Sequence, residues 1–171
     1  HLLVAVFDNV NCEVLNLVTR TSLCVREFPE QISSVCAMLN CPVIFCGTVT
    51  GKCLVLNLDQ DVFVSQYAVL PDKSFGIKTR DPLCVICFDP EDENVLLFGF
   101  KNCGLLVEWS LRDAKQINRF QGPRGMQGAA FKRDGKLIVA GYADGSIHIF
   151  NRKDPQKVMK SYFGNQTQHC I

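Results

Sequence analysis

Apolar residues along this chain fall in short runs of five or six, separated by polar turn residues. The best-formed unit begins with Met126-Gln-Gly-Ala-Ala-Phe131, Lys132-Arg-Asp-Gly135 and Lys136-Leu-Ile-Val-Ala-Gly-Tyr142. It continues with Ala143-Asp-Gly145 and Ser146-Ile-His-Ile-Phe-Asn151. This pattern predicts strand, turn, strand, tight turn, strand. Asp134-Gly135 and Asp144-Gly145 are pairs that tolerate positive φ and join antiparallel strands. Lys157–Phe163 supplies a fourth, outer strand.

The same unit recurs upstream. Val95–Phe100, Lys101–Gly104 and Leu105–Ser110 repeat the second hairpin, as do Val43–Thr48, Val49–Gly51 and Lys52–Asn57. Leu2–Phe7 with Cys12–Asn16 is a degenerate first copy. In the last three copies a turn glycine (Gly51, Gly104, Gly145) stands six residues before a polar residue that follows a bulky apolar one: Leu56-Asn57, Trp109-Ser110, Phe150-Asn151. Leu15-Asn16 fits the same slot. Successive slots lie 41, 53 and 41 residues apart, against about 40–45 for a four-stranded propeller blade. The excess in the middle interval falls at Pro71–Pro82, a surface insertion.

The apolar–polar slot resembles the Trp-Asp dipeptide of WD40 repeats, although only Trp109 keeps the indole and no copy keeps the Asp. The resemblance implies an all-β fold, a WD40-type β-propeller of about four blades. The blades are placed at about 1–28, 29–70, 83–121 and 124–165, with an inserted loop at 71–82. Four blades is low for a propeller, so the chain is expected to be a piece of a larger one, with an exposed sheet face at each cut. Without the His–Asp–Trp hydrogen-bond network of such repeats, apolar packing is expected to hold the blades together.

Composition narrows the function classes. The formal net charge is +1; residues 1–70 carry a balance of −3 and residues 71–171 one of +4. Neither half is an electrostatic footprint for nucleic acid. The apolar runs fall far short of the ~20 residues of a membrane helix. The chain opens on His1 rather than Met. Of its 10 cysteines, Cys36, Cys46, Cys53, Cys84 and Cys87 lie in or beside apolar runs and read as small buried hydrophobes in a reducing, cytosolic compartment.

No motif reads as an active site. His148 alternates with Ser146 and Phe150 on one strand face, where spacing supplies no carboxylate, and is expected to be a hydrogen-bonded structural histidine. Cys84 and Cys87 lie in a predicted strand, Leu83–Phe88, so they face opposite sides and do not form a metal knuckle. Gly122-x-x-Gly125-x-x-Gly128 precedes a strand rather than a helix and lacks the phosphate-binding pattern. Asp89-Pro-Glu-Asp-Glu93 lacks the ligand spacing of a calcium loop and reads as a solvated turn. The expectation is a protein with no catalytic, cofactor or metal residues.

Residues 32–163 resemble a particular propeller family. Phe45-Cys-Gly-Thr48 with Gly51 and Asn57 is similar to a blade of the lethal giant larvae/tomosyn family. Asp89-Pro-Glu-Asp92, Leu97-x-Gly-Phe100 and Leu106-Val-x-Trp109 resemble that family's next blade, and Asp134-Gly-Lys136 with Asp144-Gly-Ser146 the one after. The resemblance implies a non-catalytic scaffold that regulates exocytosis or cell polarity by binding syntaxin-type SNARE or cortical cytoskeletal proteins. It implies a cytoplasmic protein, peripheral at the plasma membrane through its partners, without nucleic acid. The stretch Arg133–Gly141 also resembles generic WD40 scaffolds, for example those of ribosome biogenesis. The candidate contact surface is the inserted loop, with Phe75 as apolar anchor and Lys73, Lys78 and Arg80 as basic rim.

Overall fold

The computed structural model describes residues 2–7, 10–38, 41–58, 62–67 and 80–164. They form fifteen strands and, among the described residues, no helix. Two units divide the chain, His1–Ile86 and Cys87–Ile171.

In the first unit β1 (Leu2–Phe7), β2 (Asn11–Asn16) and β3 (Thr21–Glu27) form a three-stranded meander. β4 (Ile32–Ala37), β5 (Val43–Thr48), β6 (Cys53–Asn57) and β7 (Val62–Tyr67) form a four-stranded one. Alternation puts Ile44, Cys46, Leu54 and Leu56 on one face of the second sheet, where they join Ile32 and close over Val14 and Phe28 as the core of this unit. Each of the Val, Leu, Ile and Phe side chains among them contributes about 1.5–3 kcal/mol on burial. On the other face Phe45, Cys53 and Val55 are also buried. There the hydroxyls of Ser33 and Ser34 donate to the Leu83 carbonyl at 2.8 and 2.5 Å. A Cβ on Gly47 would stand 2.7 Å from the same oxygen, which restricts that position to glycine.

The division falls within β8 (Leu83–Phe88). The second unit holds β9 (Val95–Phe100), β10 (Leu105–Ser110) and β11 (Lys115–Gln121), in the sheet order β11-β10-β9-β8. It also holds β12 (Met126–Phe131), β13 (Leu137–Tyr142), β14 (Ser146–Asn151) and β15 (Asp154–Phe163), paired in sequence order. These two sheets pack through Phe120 and Phe150, whose rings are 5.6 Å apart. The β9–β10 turn is tied to the connector ahead of β12: Met126 N donates to Lys101 O at 2.8 Å and Gly122 N to Gly104 O at 3.1 Å. The outer strand begins at Asp154 rather than Lys157, because Asp154 pairs with Asn151 across a tight turn before the ladder is interrupted.

The recurring slot now has a physical meaning. Its glycines Gly51, Gly104 and Gly145 all have positive φ, at 87°, 69° and 79°, as tight β-hairpin turns demand. Its polar residue caps the next turn. Asn16 Oδ1 accepts from Val18 N and Thr19 N, Ser110 Oγ from Asp113 N, and Asn151 Oδ1 from Lys153 N, all at 2.9–3.2 Å. The antiparallel four-stranded meanders, with this hairpin repeated, are sheets of the propeller-blade type.

Candidate functional site

Of the residues expected to form the contact loop, Lys73, Phe75 and Lys78 lie outside the described residues. Arg80 is exposed and holds a φ of 86°. It precedes buried Asp81. The arrangement of the other three around Arg80 therefore lies outside the described residues.

What it does bring together lies in the second unit. Arg152, in the β14–β15 turn, sends Nη1 to Asp89 Oδ2 at 2.6 Å and to the Gly135 carbonyl at 2.6 Å. Its Nε stands 2.5 Å from Glu108 Oε1, and its guanidinium lies 4.9 Å from the centre of the Phe131 ring. Asn118 Nδ2 donates to Glu108 Oε2 at 2.6 Å. The two carboxylates are almost wholly buried, with side chains 3% and 0% exposed. Burial pushes the Glu108 carboxyl above its ordinary range, and Asn118 and Arg152 pull it part of the way back. One planar cation thus holds two acids from the β8–β11 sheet against the turns of the next.

This network corrects two expectations. Apolar packing alone does not join these sheets; a buried ion cluster spans them. The Asp89–Glu93 segment is a solvated turn only from Pro90 onward, since Asp89 faces inward. Glu108 carried a readable signal, because an acid inside Leu105-Leu-Val-Glu-Trp109 has to find a partner when buried. Arg152, in a turn, carried none.

His148 is 9% exposed, and neither ring nitrogen has a hydrogen-bond partner among the described residues. The expectation of a hydrogen-bonded histidine therefore fails. The ring is held by aromatic packing instead, edge-on to Tyr142 at 5.2 Å and 6.2 Å from Phe150; of its cross-strand neighbours, Ala140 has no side-chain acceptor and Ser161 does not bond it. Burial, with Cys36 nearby, pushes the Cys53 thiol up to about 12, so it stays protonated and unreactive. Cys84 and Cys87 are both half-buried in β8. Among the described residues no three His, Cys, Asp or Glu side chains gather as metal ligands, and no helix is long and apolar enough to cross a membrane.

Beside the Arg152 network lies an open cleft of about 590 Å³. The β12–β13 turn, the β14–β15 turn and Met159 form its walls.

The repeated hairpins, turn glycines and capped slots define an all-β chain of WD40 β-propeller type, similar to the lethal giant larvae family. Over 124 residues, 68% of the chain, it is 27% identical to human LLGL scribble cell polarity complex component 2 and 24% identical to the mouse protein of the same name. The chain covers 12% of the length of each of these relatives. No protein-family model matches it.

Proposed function

We propose that the chain is part of a non-catalytic, protein-binding scaffold of the cell-polarity type, and that its partners include syntaxin-type SNARE proteins of vesicle fusion. The observation that carries this reading is the match to a protein whose name places it in the scribble cell polarity complex. The ordered run of blade motifs from Phe45 to Ser146 supports it. So does the use to which the chain's buried polar groups are put: Asp89, Glu108 and Arg152 neutralise one another, which suits a rigid scaffold better than a reaction centre. On this reading the protein works in the cytoplasm and reaches the plasma membrane through its partners.

The inserted loop at 71–82 is the proposed contact surface, with Phe75 as anchor and Lys73, Lys78 and Arg80 around it. Affinity purification of the full-length protein from secretory epithelial cells tests the reading. Recovery of a syntaxin or a cortical polarity protein is expected, and repeated recovery of neither overturns it. Replacing residues 72–80 by a Gly-Ser link, which leaves buried Asp81 in place, should leave folding nearly unchanged and weaken that recovery, because long surface loops add little to stability. Undiminished recovery would move the contact surface elsewhere.

A further inference from the structure

We propose that the cleft beside the Arg152 network is a docking groove for an extended acidic peptide carrying an apolar side chain. This goes beyond the polarity reading and does not rest on it, since it concerns a different surface and a partner defined only by its chemistry.

The groove originates in an interrupted ladder. β15 pairs Asp154 with Asn151 and Val158 with Phe150, so residues 155–157 have no cross-strand partner. Pro155 has no N–H with which to restore one. Bulges of this kind bend a strand and re-aim its side chains. Here the irregularity opens a second hollow of about 200 Å³ beside the first, and the two share Asn151 and Met159. Adjoining hollows of this kind suit an extended segment better than a single compact ligand. The groove's apolar lining comes from half-buried Leu137 and from Met159, which is 58% exposed. An accessible methionine in a concavity is an adaptable contact for an apolar anchor.

Its rim is basic. The residues lining the two hollows include Lys132, Lys136, Arg152, Lys153 and Lys157 against Glu91, Asp134 and Asp154, a balance of +2. Two of the charges are already engaged: Arg152 by Asp89 and Glu108, and Lys132 by Asp134 at 2.8 Å. Among the described residues, the ammonium groups of Lys136, Lys153 and Lys157 have no carboxylate within ion-pair distance, and all three side chains are exposed. They outnumber the lining acids left without a cation, Glu91 and Asp154. Lysines act as mobile point charges, suited to carboxylates spaced along a chain and not to one fixed anion. Charge attracts the segment and the apolar lining retains it.

The test uses the full chain and a fluorescein-labelled synthetic peptide of alternating Asp and Glu around a single Leu. Saturable binding that rises as salt is lowered is expected. The double variant Lys136→Glu/Lys153→Glu should weaken it by roughly tenfold or more, and Met159→Ser by roughly threefold to tenfold. Lys101→Glu/Lys115→Glu, the same charge change on exposed residues of the other sheet, should leave it within about twofold. Circular dichroism of each variant separates loss of binding from loss of fold. A peptide with Ser in place of Leu should bind more weakly. Equal binding of the Ser peptide, or equal losses in both double variants, would reduce the effect to bulk charge and overturn the proposal. So would failure of the peptide to bind while phosphatidylserine-containing vesicles are captured, which would identify the surface as one for anionic membranes.

Discussion

In the hairpin β9–β10 burial is nearly continuous, whereas in β13–β14 it alternates residue by residue. The two hairpins share their register. Leu97, Leu106 and Phe120 on one face of the β8–β11 sheet correspond to Val139, Ile147 and Tyr162 on the matching face of the β12–β15 sheet. The first three are 0% exposed, while the second three are 38%, 45% and 46% exposed. Residue type does not explain the difference, since both sets are apolar. At one register position the order is even inverted: buried Glu108 stands where the other hairpin carries half-buried Ile149. What differs is whether another sheet lies on that face. The alternation in β13–β14 therefore records the surroundings of the sheet rather than a preference of its residues.

Arg152 is where this comparison can be broken most forcefully. Arg152→Met strands two buried carboxylates and should cost about 3–5 kcal/mol. Adding Glu108→Gln should recover part of that loss, a coupling that a double-mutant cycle in urea can read from the fluorescence of Trp109. A loss below about 1 kcal/mol would mean that the cluster behaves as a surface ion pair and that packing alone joins the sheets. Next comes the matched pair on the two faces. Leu106→Ala should cost about 2–5 kcal/mol by transfer and cavity effects, and Ile147→Ala less than about 1 kcal/mol. Equal losses in urea unfolding would refute the account of what buries one face and not the other.

The turn glycines sharpen the comparison further. Gly145→Ala meets only the strain of its positive φ, with nothing within 4 Å of the new methyl, and should cost about 1 kcal/mol. Gly104→Ala adds a collision with the Pro123 carbonyl, so its melting temperature should fall clearly further. The smallest effect concerns pH. The folded Glu108 carboxyl is raised above 4.5, so the native state holds its proton more tightly than the unfolded chain. Stability from this group is then greatest below about 4.5 and declines as pH rises through the folded value. Glu108→Gln removes that slope, and the stability difference should move in favour of Gln as pH rises through the window. The turn acids of the other sheet behave oppositely. Asp134 is held low by Lys132 and by the Lys136 amide, and Asp144 by Ser146. Their contribution is present above about 3.8 and lost as pH falls.

How much of this was legible in the sequence depended on the range of the interaction. Asp134-Gly135, Asp144-Gly145 and the slots at Ser110 and Asn151 act within a few residues, and their chemistry could be read from letters and spacing. The Arg152 cluster joins three turns or strands far apart in sequence, so only the oddity of Glu108 inside an apolar run betrayed it. The groove depends on a ladder irregularity at 155–157, which periodicity does not encode and which Pro155 only hinted at. Alternation along β14 puts His148 on the buried face with Ser146 and Phe150, as observed, but says nothing of whether its ring nitrogens find partners, and among the described residues they do not.

The capped turns bear on how such a chain diverges. The polar slot needs only an oxygen that can receive one or two amide protons, a service that Asn16, Ser110 and Asn151 all perform. Substitution among Asn, Ser and Asp is then nearly silent for the hairpin, and mutation can erase the signature dipeptide letter by letter while the architecture persists. The information that specifies the blade resides in acceptor position and glycine conformation, a code with many synonyms.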